Sequence, residues 1–293
     1  MPDFAPLSTA LNRLWLPRPA LTACVRGILA RDTRGLALTD AQRFNHFPAT
    51  PLCSISWWFE GESQLLPPYA PAQADTPRQP LPARVLLAGP FTHPLCSWNP
   101  GPVHGMMLLL LPDALHHLTG VAAADWVNRF SPLPGVLPPD WVAMADSVAT
   151  APDDETRVAL IQDFLAPRWQ AQRPTRSHGA ERYLDWAQAL ALRAATSAPG
   201  RSLRQVERRI KQWAGLPMRE LRGIGRAEQA FFHTLATQQA GLPPDWAAVA
   251  LDSGYADQSH LCRETRRVTG FAPQVLYQHI AQDEAFWSYR LWQ

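Results

Sequence analysis

The stretch that decides the fold runs from Ala250 to Pro273: Ala-Leu-Asp-Ser-Gly-Tyr-Ala-Asp-Gln-Ser-His-Leu-Cys-Arg-Glu-Thr-Arg-Arg-Val-Thr-Gly-Phe-Ala-Pro. Asp257 is a helix N-cap residue type, and Gly270 suits the left-handed C-cap that stops a helix, so a short helix is predicted between them. Upstream, Asp245 to Gly254 reads as another short helix, with Asp245 as its cap and Val249 and Ala250 placed to face inward. Gly254, with Tyr255 and Ala256, makes the tight turn between the two. Small alanines at the crossing let the helices pack closely at a steep angle, which is helix-turn-helix geometry.

Working outward, the same pattern recurs 55 residues earlier. Ser202-Leu-Arg-Gln-Val-Glu-Arg-Arg-Ile-Lys-Gln-Trp-Ala-Gly215 lies on Asp257 to Gly270, with Val206 matching Leu261, Arg208 matching Arg263, and Lys211 matching Arg266. Its preceding helix is Leu184 to Ala195, with Ser197-Ala-Pro-Gly200 as a longer turn. Leu221 to Leu235 reads as a long helix joining the two units. A helix laid in the major groove reaches base edges with the side chains of its exposed N-terminal turns, here Arg204, Glu207 and Arg208 in the first copy.

These residues resemble the AraC/XylS family of transcription regulators, over roughly residues 180–280. Ala250 to Arg263 with Thr269-Gly-Phe-Ala-Pro273 is similar to the family's second unit, and Arg208-Arg-Ile-Lys211 with Gly215 to its first. Ile210 and Thr265 depart from the pattern, standing where the family usually has phenylalanine. The resemblance implies double-stranded DNA as partner, with Gln258, Ser259 and Arg263 as the base-reading positions of the second unit. Arginine grips guanine O6 and N7 with two donors, and glutamine pairs with adenine, each worth about 1–3 kcal/mol of discrimination. Glu207 can accept from cytosine N4. Arg201, Arg209, Lys211, Arg266 and Arg267 are expected on phosphates, which position without reading sequence. A rigid joining helix would set the recognition helices about one DNA turn, ~34 Å, apart. The resemblance further implies an activator working with RNA polymerase, a homodimer, and a small-molecule effector.

The N-terminal part reads differently. Leu52 to Phe59, Arg84 to Ala88 and Val103 to Leu111 are apolar runs bounded by Gly61, Gly89-Pro90 and Pro100-Gly101-Pro102, and they predict strands. Leu66 to Pro82 holds six prolines and is expected to be a loop. Helical spacing then appears over Asp113 to Leu118, over Asp140 to Val148 with Asp140 as cap, and over Asp153 to Trp169. Gln170 to Gly179 is polar and contains Pro174, a linker composition. The expected fold is α+β. An N-terminal antiparallel β barrel or sandwich, cupin-like, with helices, forms a domain over 1–172. An all-α domain of two tandem helix-turn-helix units occupies 180–293. Gly89-Pro-Phe-Thr, Pro100-Gly-Pro-Val and the run to Leu111-Pro-Asp-Ala-Leu are similar to an N-terminal domain of many such regulators, which implies sensing or dimerisation.

Composition bounds the alternatives. Hydrophobic residues make up 46% and charged residues 18%, as in folded globular chains. Residues 1–200 carry 15 basic and 16 acidic side chains, a net of −1. Residues 201–293 carry 12 and 9, a net of +3, so the basic excess sits with the repeat. Met106 to Leu111 falls far short of the ~20 apolar residues that span a bilayer, and Met1-Pro-Asp-Phe4 opens no export signal. No membrane association and a cytoplasmic location are expected. Cys24, Cys53, Cys96 and Cys262 are scattered, without the spacing of a zinc site, a disulfide framework or an activated thiol. His46, His93, His104, His116 and His117 invite a metal, but no tight H-x-H pair with a nearby carboxylate occurs, so no metal, no cofactor and no enzyme are expected. An aromatic-lined barrel could hold an apolar ligand, and His46, Trp57 and Trp98 are the candidates for it. Trp57 and Trp58 face opposite sides of a strand, so at most one can line a pocket. The open alternatives are an N-terminal domain that only dimerises, and a cupin-like enzyme with a DNA-binding tail.

Overall fold

The computed structural model describes residues 12–174, 182–197 and 202–292. Ten strands come first: β1 (Asn12–Trp15), β2 (Val25–Asp32), β3 (Phe44–Phe47), β4 (Cys53–Glu60), β5 (Gln64–Leu65), β6 (Gln79–Pro80), β7 (Val85–Ala88), β8 (Leu95–Trp98), β9 (His104–Leu110) and β10 (Phe130–Pro132). They form a six-stranded sheet in the order β1-β2-β9-β4-β7-β10 and a four-stranded sheet in the order β3-β8-β5-β6. Every pairing is antiparallel.

Period-two alternation gives the larger sheet two apolar faces. Leu108 in β9 lies opposite Ile28 of β2 and Ile55 of β4. All three are fully buried against the helical layer. That layer is α1 (Pro112–Thr119), α2 (Pro139–Thr150) and α3 (Asp154–Gln172). Their neighbours Leu29, Ser56 and Met107 point the other way, toward the smaller sheet. Asp153 caps α3 by accepting from the Thr156 amide. The expectation for Asp140 needs correcting. The N-cap of α2 is Pro138, with no side-chain cap, and Asp140 in the first turn pairs with Arg168 at 2.9 Å.

The C-terminal part is helical among the described residues: α4 (Tyr183–Thr196), α5 (Leu203–Ala214), α6 (Met218–Gln239), α7 (Trp246–Asp252), α8 (Gln258–Thr269), α9 (Pro273–Gln282) and the short α10 (Trp287–Arg290). The expected turn at Ser197 to Gly200 lies mostly outside the described residues, as does Arg201. α6 carries two glycines in its interior, where glycine costs about 1 kcal/mol relative to alanine. Close approach explains Gly225, where a Cβ would stand 2.8 Å from the Leu184 side chain of α4 and 3.2 Å from its backbone nitrogen; at Gly223 a Cβ would meet the flexible far end of Arg267 of α8, at 2.7 Å.

One hydrophobic core crosses from the strands into the first helical unit. Trp186, Leu190, Ile210 and Leu221 share a cluster with Leu115 and Ala123. Polar contacts follow the same path: Asp113 of α1, 3% exposed, accepts from Trp186 Nε1 at 2.9 Å and pairs with Arg193. The second unit has its own small core of Ala230, Val249, Ala250, Tyr255 and Leu261. The chain end returns to the smaller sheet, where Trp287 Nε1 donates to Asn45 Oδ1 at 2.9 Å and Ser288 Oγ to the His46 carbonyl at 2.8 Å.

Candidate nucleic-acid interface and the cavity behind it

α5 and α8 are both twelve residues long, and both start on a side-chain cap. Ser202 Oγ accepts from the Gln205 amide at 3.4 Å, and Asp257 Oδ1 from the His260 amide at 2.7 Å. Both end on a left-handed glycine, Gly215 at φ 77° and Gly270 at φ 86°. Gly215 also has a packing reason, since a Cβ there would lie 3.0 Å from the Ala123 carbonyl oxygen. Asp245 caps α7 by accepting from the Ala247 and Ala248 amides, and Gly254 turns the chain toward α8 at φ 74°.

Each helix is anchored on one side and free on the other. In α5, Ile210 and Ala214 are buried; in α8, Leu261, Thr265 and Val268 are. The positions expected to hold phenylalanine, Ile210 and Thr265, are therefore core positions here too. On the outer side, Arg204, Arg208 and Lys211 are exposed at i, i+4 and i+7, which places them on one stripe. Ser259, Arg263 and Arg266 form the matching exposed stripe of α8, each 55 residues further on. Gln258 is exposed beside it. The C-terminal ends of both helices face the strand-bearing half. The Val268 carbonyl accepts from the Ala49 amide at 2.7 Å, and the Arg267 carbonyl from Tyr69 Oη at 3.2 Å.

Three candidate residues have work inside the protein. Glu207, exposed over part of its surface, accepts from the Met218 amide at 3.0 Å and so holds the start of α6. A carboxylate at a helix N-terminus is favoured by the helix dipole. Arg209 is half-buried and donates to the Ala194 carbonyl at 2.8 Å. Arg267 is half-buried between Glu220 at 2.9 Å and Glu264 at 3.1 Å, which balances its charge and ties α8 to α6. Spacing could not reveal these bonds, because three of the four partners, all but Glu264, lie on other helices.

Behind α8 lies a cavity of about 300 Å³, walled by the two sheets on one side and by α6, α8 and the chain end on the other. Of the ligand candidates, only Trp57 borders it, and its indole turns into the helix-facing core, donating to the Ala145 carbonyl at 3.0 Å. His46 is absent from the cavity wall. Its ring stacks on Phe286 at 4.5 Å and meets Phe271 edge-on, and burial pushes its pKa down to about 4. Trp98 is likewise elsewhere, donating to the Asp40 carbonyl beneath the Arg78 guanidinium. The residues that do border the cavity from the chain end, Trp287, Ser288, Tyr289 and Trp292, carried a readable signal, the density of aromatic residues from Phe286 to Trp292.

Among the described residues, no three histidine, cysteine, aspartate or glutamate side chains are grouped to hold a metal ion. No described helix is long and apolar enough to cross a membrane. Burial raises the thiol pKa of Cys24 and Cys53, and pushes that of Cys96 up to about 12. Such thiols stay protonated at neutral pH.

No protein-family model matches the chain, and none of the curated proteins does. Solved structures give distant likenesses. Apo ToxT of Vibrio cholerae strain SCE256, in a variant form, aligns with a TM-score of 0.40 at 10% identity, over 87% of this chain and 97% of that one. Wild-type ToxT of the same strain, bound to an unsaturated fatty acid, aligns with a TM-score of 0.35 at 12% identity, over 80% and 94%. With TM-scores below 0.5, these likenesses assign neither family nor function.

Proposed function

We propose that the protein is a sequence-specific DNA-binding transcription regulator of the AraC type, with residues 180–293 reading double-stranded DNA and residues 1–172 sensing a small ligand. The observation that carries this reading is the pair of matching stripes. Two capped helices of equal length hold arginine-bearing faces outward at the same register, and each has its opposite face in a core. A solvated surface has no need for the same cap, stop and stripe twice. Arg208 and Arg263 are the proposed base readers, joined by Arg204, Gln258 and Ser259. Lys211 and Arg266 are proposed on phosphates. Glu207, Arg209 and Arg267 act as struts that fix the helices, with DNA contact a secondary role. Homodimer formation, action as an activator with RNA polymerase, and a cytoplasmic location belong to the same reading.

The test is selection of bound fragments from genomic DNA with the full-length protein, followed by footprinting of the best fragment. The reading expects an asymmetric protected site longer than one helical turn, because two linked recognition helices would enter successive major-groove faces. Protection confined to half a turn, or fragments enriched without any common sequence, contradicts it.

A further inference from the structure

α5 and α8 are joined twice over. One join is α6, whose first turn is held by Glu207 of α5 and which meets α8 through the pair of Glu220 and Arg267. The other join runs through the strand-bearing half. The first unit is built into that half: Trp186 and Ile210 share its main core with Leu115, and Asp113 holds Trp186 and Arg193. The second unit has a core of its own and is fastened to the strands at two points. One is the C-terminal end of α8, where the Val268 and Arg267 carbonyls accept from Ala49 and Tyr69.

The other is the chain end beyond α9. Glu284, 5% exposed, links the two halves there. One of its oxygens accepts from Arg31 of β2 at 2.8 Å and the other from Arg290 at 2.7 Å. Arg290 in turn donates to the Ile280 carbonyl of α9 at 3.1 Å. Around this chain of bonds, Leu276, Ile280 and Phe286 form one buried cluster with Phe44 and Leu66 of the strand-bearing half. α9 follows α8 after only Gly270, Phe271 and Ala272, so the second unit cannot shift against the strands without breaking a buried ion pair.

A body held at one join can swing about it, whereas a body held at two joins cannot. We infer that the chain end is a brace that fixes the distance and angle between α5 and α8, with Glu284 as its positioning residue, so that a duplex is accepted only when its two half-sites have the matching spacing. The brace is a property of the fold; its consequence for spacing rests on the regulator reading. One base pair inserted between the half-sites moves the second by about 3.4 Å along the duplex and turns it by about 35°. A helix pinned at both joins cannot follow that displacement, and one held by α6 alone can swing toward it. Glu284 is buried, so it acts on DNA only through position.

The test compares the full-length protein with Glu284→Gln, which keeps the shape of the side chain and removes its charge. Without DNA, hydrogen exchange is followed along the chain. Glu284→Gln should speed exchange of the α7 and α8 amides at least about tenfold, while α4 and α5 keep the parent's rates. With DNA, each protein is titrated with the best genomic fragment and with the same fragment carrying one base pair inserted between the protected halves. The parent should bind the altered fragment at least about tenfold more weakly, because it gives up the base contacts of one unit. Glu284→Gln should lose less than about threefold. Each figure is a ratio within one protein, so a change in stability common to both fragments cancels. Trp287→Phe, which removes the donor to Asn45, serves the same end if Glu284→Gln does not fold by circular dichroism. The inference is overturned if exchange in α8 is unchanged, if α5 loosens equally, or if the parent is indifferent to the insertion. It is also overturned if the variant penalises the insertion as the parent does, since α6 alone would then set the spacing. Loosened α7 and α8 in a protein whose parent binds no DNA would support the brace and sink the regulator reading alone.

Discussion

Asp113→Ala is expected to loosen the first helical unit from the strand-bearing half. Asp113 lies in the first turn of α1 and is 3% exposed. It accepts from Trp186 Nε1 and pairs with Arg193, whose side chain is 14% exposed. Removing one partner of a buried pair costs about 3–5 kcal/mol, because the remaining charge stays buried and uncompensated. The indole N–H loses its acceptor as well, a penalty of about 1–3 kcal/mol that overlaps with the first because both act at one site. Taking about 4 kcal/mol in all, and about 2–4 °C per kcal/mol for a chain of this size, the midpoint of thermal unfolding should fall by about 10 °C. Asp113→Asn keeps an acceptor for Trp186 and loses the charge, so it should fall between the alanine variant and the parent. In a double-mutant cycle, Arg193→Ala should cost much less in the Asp113→Ala background than in the parent. A midpoint within 2 °C of the parent for Asp113→Ala, or additive effects in the cycle, would refute the reasoning.

Two further outcomes follow from the site. Arg266→Ala should weaken DNA binding across all sequences and reduce the salt slope by about 0.9, while leaving thermal stability unchanged. Arg267→Ala should do the reverse, lowering stability through loss of the Glu220 and Glu264 pairs with little change in slope; equal slope changes would show both arginines on phosphates. Acid should also destabilise the protein through His46. Its folded pKa is lowered by burial from 6.5 to about 4, so between those values the unfolded chain binds the proton and the folded one does not. Stability is therefore fully present above pH 6.5 and falls toward pH 4, by about 3 kcal/mol in total. His46→Leu should flatten that part of the curve in denaturant titrations, and an unaltered slope would remove His46 from the account.

Local chemistry made α5 and α8 legible. Ser202 and Asp257 cap, Gly215 and Gly270 stop, and these are short-range signals that tertiary context left in place. β4, β7 and β9 were readable for a similar reason: Ile55, Leu87 and Leu108 are core residues within apolar runs. β2 was not, because Gly27 sits at a register shift and Arg31 faces the interior, breaking the expected alternation. β3 and β8 escaped because Asn45 and Ser97 point inward to polar partners and read as loop residues. The ligand candidates fared worst. His46 and Trp98 are aromatic residues of the smaller sheet, but their rings pack against the chain end and a half-buried arginine, Arg78. The return of residues 284–292 to the strands decides that for His46, and the placement of Arg78 decides it for Trp98; no spacing within the sequence encodes either.

The most direct measurement is the affinity of the Arg208→Ala, Arg263→Ala double variant for the best genomic fragment, at one fixed salt concentration and with folding verified by thermal unfolding. Two bidentate base contacts at about 1–3 kcal/mol each predict a loss of at least about 30-fold, with unchanged stability. An affinity within threefold of the parent would contradict the claim that these two exposed stripes read DNA.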